Sequence, residues 1–290
     1  MRTETNSIVW ITGATSGIGE ITARELARLG ARVIIVGRSP ERCAATSERI
    51  RAQTGATAVE SMVADLSFQA DVRRLVDQVH GRCDRLDVLV NNAGGMYLDR
   101  RESVDGIELT LALNHLSYFL LTNLLLDLIK ASAPARIVNV SSEAHRGVSI
   151  DFDDIQQRGR YSGWQTYQQS KLANILFTHE LARRLEGTGV TVNSLHPGFV
   201  RTNFFKNFPG WRGFTFRIFA SLLAISPEEG ARTSIHLAAS PEVAGITGQY
   251  FVKSRPATSS TQSHDRAAAE RLWRVSEELT GQVSTVAAPR

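Results

Sequence analysis

Tyr167 and Lys171 stand four residues apart in the segment Tyr-Gln-Gln-Ser-Lys. On a helix that spacing puts both side chains on one face. A phenol ordinarily titrates at about 10. A fixed ammonium beside it favours the phenolate and pulls that value toward working pH. Such a pair suits proton donation to a carbonyl oxygen, or proton removal from an alcohol. Ser142, just past the apolar run 136–140, offers a hydroxyl to hold that oxygen. Asn114 interrupts a leucine-rich stretch, where asparagine is a poor helix former. Its amide must therefore bond backbone or water inside the fold, or hold a water that links Lys171 to solvent.

A second stretch with chemical content is IVWITGATSGIG, residues 8–19. Bulky apolar residues 8–11 predict a buried strand, and residues 20–29 carry helical spacing. Strand, glycine-rich turn and helix together aim backbone N–H groups and a helix N-terminus at a phosphate. Gly13 permits a tight turn, Gly17 removes a Cβ where a pyrophosphate approaches, and Gly19 allows close helix packing. The spacing is G-x-x-x-G-x-G rather than G-x-G-x-x-G, and a glycine turn without a ligand is the bland alternative.

These groups must be positioned by the elements between them. Further strands are predicted at 32–36, 57–63, 86–90, 136–140, 191–195 and 248–252. Helices are predicted at 40–52, 69–80, 104–129, 167–185 and 266–279. The alternation implies an α/β fold: one Rossmann-type, doubly wound parallel sheet of about seven strands with helices on both faces. Ligands in such sheets bind outside the carboxyl ends of the strands. The glycine turn, Arg38, Asp65, residues 91–94, Ser141-Ser142 and Pro197-Gly198 all follow predicted strands and should converge there. At the tip of the second strand Gly37 leaves space and Arg38 offers a forked cation, which favours a 2′-phosphate and hence NADP(H) over NAD(H). Asp65 could accept from an adenine amino group or cap the helix at 69–80, for which Ser67 is the better cap candidate.

Composition narrows the remaining classes. The 290 residues carry a formal net charge of only +4, nearly all the cations are arginine, and they are scattered. No basic stripe predicts a nucleic-acid groove. Cys43 and Cys83 lack metal-ligand or disulfide-framework spacing, so no metal site and a reduced cytoplasmic setting are expected. The polar start leading straight into a strand predicts neither signal peptide nor integral membrane anchor. Polar interruptions make the leucine-rich stretch a buried helix rather than a span.

The motifs TGATSGIG (12–19), NNAG (91–94), Asn114, Ser142, Tyr167-x-x-x-Lys171 and Pro197-Gly198 together resemble the short-chain dehydrogenase/reductase family over about residues 7–252. The resemblance implies catalytic roles for Asn114, Ser142, Tyr167 and Lys171, with Ser142 rather than Ser141 as the serine. It implies cofactor contacts at Gly13, Thr15, Ser16, Gly17, Ile18, Gly19, Arg38, Asp65, Leu66, Asn92, Ala93, Gly94, Tyr167, Lys171, Pro197, Gly198, Val200 and Thr202, the last at the nicotinamide carboxamide. Residues 114–122, 137–142, 167–174 and Arg271-Leu272-Trp273 are similar to the retinol dehydrogenase-like branch, whose members often use NADP(H). The family's variable substrate lid corresponds to about 199–225, which is crowded with aromatics and suits a bulky apolar substrate. Phe199, Phe204 and Phe205, with Met96 and Tyr97, are its candidate lining. The dehydrogenase/reductase domain is expected to span 1–253, with 254–290 a polar segment and helix that either folds back or remains mobile.

The expected activity is NADP(H)-dependent interconversion of a hydrophobic alcohol and its aldehyde or ketone; a retinal-like, steroid-like or polyketide-like compound fits. The expected assembly is a homodimer or homotetramer through the helices at 109–129 and 172–185. A catalytically silent NADP(H)-sensing protein on the same fold is the competing reading, disfavoured because all four catalytic positions are filled.

Overall fold

The structure, a computed structural model, describes residues 7–199 and 225–286. Strands form where short β-branched and aliphatic runs can be covered on both faces. They are β1 (Ile8–Thr12), β2 (Arg32–Gly37), β3 (Val59–Val63), β4 (Val88–Asn91), β5 (Ala135–Val140), β6 (Val190–His196), β7 (Tyr250–Val252) and β8 (Arg255–Pro256). Their order is β3-β2-β1-β4-β5-β6-β7-β8, parallel as far as β7. The expected seven strands are thus joined by an eighth. It pairs antiparallel with β7 through two residues, and Pro256 suits an edge that needs no further partner.

Alternation along β1 divides the core. Val9 and Ile11 join the apolar layer under α1 (Gly17–Arg28) and α2 (Pro40–Thr54). Ile8 and Trp10 face the opposite layer, which includes α3 (Gln69–His80). The predicted helix at 104–129 is shorter and broken. Its helical part begins with α4 (Leu109–Leu111), passes through one wide π turn at Ala112–Leu116, and continues as α5 (Ser117–Ala131). The Glu108 carboxylate accepts from Thr110 N and Leu111 N, so the helix starts there. By length and composition Leu109–Ala131 could cross a membrane, yet 83% of its apolar window is buried inside the protein, as expected of a core helix.

Helix α6 (Gly163–Arg184) starts one turn earlier than expected, because the Ser162 hydroxyl accepts from Gln165 N and caps it. Tyr167 therefore lies inside the helix rather than opening it. Ser67 does not cap α3. Its amide and hydroxyl both donate to Asp65, while the Asp105 carboxylate accepts from Gln69 N at 2.9 Å. Helix α7 (Pro227–Ala239) packs on α1. The last helix, α8 (Arg266–Thr280), folds back onto α6. There Trp273 meets Phe177 in a stack at 5.8 Å and Phe119 edge-on at 5.1 Å, under the Arg184 guanidinium at 4.0 Å. Of the two helices expected at a subunit contact, α5 packs on α3 and α6 on α8.

Candidate active site

The glycine turn is held open from beneath. The Thr12 hydroxyl accepts from Asn92 N at 2.9 Å and Ala93 N at 3.0 Å, and the Asn92 amide donates to Thr12 O at 2.8 Å and Gly13 O at 3.2 Å. Gly13 has a positive φ of 64°, and a Cβ on it would lie 2.7 Å from Ala93 Cα. A Cβ on Gly19 would lie 2.5 Å from Asn92 Nδ2 and 2.7 Å from Gly13 O. The close packing that Gly19 allows is therefore against the turn itself. Ser16 occupies the N-cap position of α1 with extended backbone, but its exposed side chain makes no cap bond. Gly17 follows with φ 60°, and the first-turn amides of α1, including that of Ile18, open the helix. An uncapped N-terminus above a cradle too tight for any Cβ fits a dinucleotide pyrophosphate.

Next along the edge, exposed Arg38 lies within hydrogen-bond and charge range of Tyr97, whose hydroxyl burial pushes upward in pKa, while Asp65 also acts on it. Tyr97, expected to line the substrate pocket, has its hydroxyl beside Arg38, and its carbonyl accepts from Tyr161 OH at 2.8 Å. Gly37 does not leave open space. A Cβ there would meet Thr15 Cγ2 at 2.5 Å and Cys43 Sγ at 2.9 Å. The Asp65 carboxylate is engaged by Ser67, and Leu66 is buried in the core. Part-buried Met96 follows Gly95, which bonds Asn114.

Beneath the centre of this edge runs a buried polar ladder. Asn91 Nδ2 donates to Thr122 Oγ1 at 3.0 Å and to Asn139 Oδ1 at 2.9 Å, and Asn139 Nδ2 donates to Thr178 Oγ1 at 2.9 Å. It ties β4 and β5 to α5 and α6. Above it, Lys171 Nζ donates to Val140 O at 3.1 Å and lies 5.7 Å from the Tyr167 ring centre. The Ser141 hydroxyl donates to Lys171 O at 2.7 Å, which leaves Ser142 as the serine whose hydroxyl bonds Tyr167. Ser142 Oγ also accepts from Ala144 N at 3.2 Å.

Asn114 is fully buried in the π turn. Its Oδ1 accepts from Gly95 N at 2.8 Å, and its Nδ2 donates to Gly95 O and Ser170 Oγ, each at 2.9 Å. Backbone thus takes most of its capacity. A Cβ on Gly94 would lie 3.2 Å from Asn114 Oδ1 and 3.5 Å from Lys171 Nζ, so Gly94 is where these two side chains come together.

The electrostatics differ from the expectation of a lowered tyrosine. Burial pushes Tyr167 up to about 12, with the Ser142 bond opposing it. Burial also pulls Lys171 down to about 8. The ammonium lies 5.7 Å from the tyrosine ring centre with one of its three N–H groups on Val140 O, and the desolvation of both groups outweighs its attraction for a phenolate. Tyr167 is therefore a protonated acid in this state.

Pro197 and Gly198 follow β6; Gly198 has φ 93°, with Ile225 packed where a Cβ would stand. Phe199 is 40% exposed. Val200, Thr202, Phe204 and Phe205, with the rest of the expected lid up to residue 224, lie outside the described residues. Trp164 is a part of the site that spacing did not single out: it is 52% exposed and its ring lies 5.9 Å from that of Tyr167. Thr12, Asn139 and Ser170 were also missed, although a polar residue inside or directly beside each motif was the available signal. Among the described residues no His, Cys, Asp and Glu cluster could hold a metal ion.

The family model for short chain dehydrogenases matches residues 7–213. Human retinol dehydrogenase 13 is 44% identical over 280 residues, covering 94% of this chain and 84% of its own length. Human retinol dehydrogenase 14 is 43% identical over 288 residues, covering 94% and 86%. A solved, uncharacterized protein from Mycobacterium paratuberculosis superposes with TM-score 0.79 at 35% identity, covering 98% of each chain. The RhlG/NADP active-site complex from Pseudomonas aeruginosa superposes with TM-score 0.66 at 30% identity, covering 90% of this chain and 96% of its own. With the glycine turn, Asn114, Ser142, Tyr167 and Lys171 on one sheet edge, these likenesses place the chain in the short-chain dehydrogenase/reductase family, in its retinol dehydrogenase-like branch, as an oxidoreductase acting on CH–OH donors.

Proposed function

We propose that this enzyme uses NADP(H) to interconvert a hydrophobic alcohol and its aldehyde or ketone, with Tyr167 as general acid/base. The observation that carries the reading is the bonded pair Ser142–Tyr167, backed by Lys171 and reached from the same edge as the uncapped α1 N-terminus. When bound, NADP(H) supplies or accepts the hydride. The residues fitted to hold it are the 12–19 turn, Arg38 and the 91–94 turn, with Lys171 beside Gly94.

In reduction, the Tyr167 hydroxyl donates its proton to the carbonyl oxygen as negative charge grows there. The Ser142 hydroxyl donates a hydrogen bond to the same oxygen, where charge develops most. Lys171 places a positive charge beside the phenolate that remains, and this stabilises it more than the starting phenol. Asn114 fixes the Gly95 backbone and Ser170, and so holds the floor on which Lys171 lies. In oxidation the proton travels the other way. Exposed Trp164 beside Tyr167, and Phe199 beyond Gly198, favour a bulky apolar substrate. Relatives named retinol dehydrogenases make a retinal-like aldehyde the first candidate.

The test is NADPH and NADH oxidation with all-trans-retinal, long-chain aldehydes, steroids and aromatic ketones. Turnover of an apolar carbonyl with NADPH preferred, lost in Tyr167→Phe while NADPH still binds, is the expected result. Equal turnover by Tyr167→Phe removes the tyrosine from its role, and a preference for NADH removes Arg38 from its own.

A further inference from the structure

Two buried imidazoles take no part in the chemistry above, yet each closely follows one of its side chains. His115 follows Asn114 directly, and His145 lies three residues beyond Ser142. Both are bonded to the chain after β8, at Ser260 and Ser276.

His145 Nδ1 lies 2.6 Å from Ser142 O. A carbonyl only accepts, so Nδ1 carries the proton. On the other side Nε2 accepts from Ser260 N at 3.0 Å. Only the neutral Nδ1–H tautomer satisfies both bonds. The ring is fully buried and meets Tyr250 edge-on at 5.1 Å. The same turn is tied a second time, by Arg146 donating to Thr258 O at 2.7 Å. The backbone that aims the Ser142 hydroxyl at Tyr167 is therefore clamped from behind by residues 258–260.

His115 is tied to the same segment through one ring nitrogen. Its Nε2 lies 2.9 Å from Ser276 Oγ on α8, and that hydroxyl already donates to Leu272 O at 2.8 Å. Ser276 therefore accepts, and His115 holds the π turn of Asn114 against α8. The indole of Trp273, between Phe119 and Phe177, keeps α8 seated.

We propose that His145 and His115 are positioning residues, through which the segment 254–286 holds Ser142 and Asn114 in register with Tyr167 and Lys171. The proposal rests on the Tyr167 chemistry of the preceding section. Neither imidazole touches substrate; each fixes the backbone from which a neighbouring side chain acts.

The test compares wild type with His145→Phe, which keeps an apolar ring and removes both bonds, with His145→Gln, which keeps one donor and one acceptor, and with Ser276→Ala. Displacing a reacting group by about 1 Å costs roughly 100-fold in rate. Accordingly His145→Phe should lower kcat by roughly 10- to 100-fold, with KM and NADPH affinity within about threefold. His145→Gln should recover most of that loss, and Ser276→Ala should lower kcat by a smaller factor at unchanged KM. His145→Phe within twofold of wild type, or His145→Gln as slow as His145→Phe, overturns the proposal. If His145→Phe does not fold, Ser276→Ala decides: normal kcat overturns it. Nitrogen NMR of histidine-labelled wild type reads the clamp without turnover, and a His145 protonated on Nε2 overturns the proposal whatever the activity. A wild type that binds NADPH and reduces no carbonyl counts against the hydride-transfer reading instead, and leaves the tautomer result to stand separately.

Discussion

Gly19→Ala sets local propensity against tertiary packing, and the two predict opposite signs. Gly19 lies in the first turn of α1, where alanine is the better helix former by at most about 1 kcal/mol. Its backbone is not left-handed, so no conformational penalty offsets that gain. The new Cβ, however, would stand 2.5 Å from Asn92 Nδ2 and 2.7 Å from Gly13 O. Ordinary contact requires close to 1 Å more, and backbone supplies one of the two obstacles. Asn92 must swing away, losing its bonds to Thr12 O and Gly13 O at about 1 kcal/mol each. Overpacking adds about 1–3 kcal/mol. The balance is a loss of about 2–4 kcal/mol, or roughly 3–7 °C in Tm for a chain of this length at about 2.1 cal/mol/K of unfolding entropy per residue. Because the displaced atoms form the cradle beneath the α1 N-terminus, NADPH should bind at least about tenfold more weakly. Thermal unfolding by circular dichroism and NADPH fluorescence titration measure both. Gly55→Ala is the control: φ is 73° with no atom within 4 Å of the new Cβ, so it should cost only about 1 kcal/mol and leave NADPH affinity alone. A Gly19→Ala protein as stable as wild type, with unchanged NADPH affinity, would refute the packing analysis.

Other outcomes follow from the same site. Arg38→Glu should reverse the cofactor preference by more than about tenfold, read as the ratio of kcat/KM for NADPH and NADH; an unchanged ratio places the 2′-phosphate elsewhere. Trp164→Ala should raise KM for bulky apolar aldehydes and spare short ones, and a uniform effect on both would argue against an apolar platform there. With Tyr167 held up at about 12, reduction should be flat near neutral pH and decline above about 8, where Lys171 loses its charge, while oxidation climbs with pH. Paired pH–rate profiles check this, and a reduction rate that rises through pH 9 contradicts it. Burial also holds His115 down at about 4. Its stabilising contribution is fully present above the ordinary histidine value of about 6.5 and is lost as pH falls toward 4, a loss of about 3 kcal/mol. Calorimetry between pH 7 and 4 should show that decline, and His115→Phe should make it shallower by its own share, the remainder coming from His196, His145 and His179, which burial also holds low.

Much of the molecule was legible because the relevant physics is local or periodic. Tyr167 and Lys171 are one helical turn apart wherever that helix sits. The strand–turn–helix of 8–29 is contiguous, and alternating strands and helices oblige a parallel sheet whose carboxyl ends gather on one edge. Element ends were less legible, since Glu108, Ser162 and Asp105 decide them by capping, and Asp105 does so from a distant loop.

The sequence by itself determined which residues could do chemistry and which edge they would share. The tertiary structure alone decided how they are held and charged. Asn91 meets Asn139, His115 meets Ser276 and His145 meets Ser260 across 48, 161 and 115 residues, contacts that depend on sheet register and on where α8 lands. No periodicity encodes those meetings. The same holds for Tyr167: spacing puts a lysine beside it, but the sign of its pKa shift depends on how much water the surrounding fold removes from both groups.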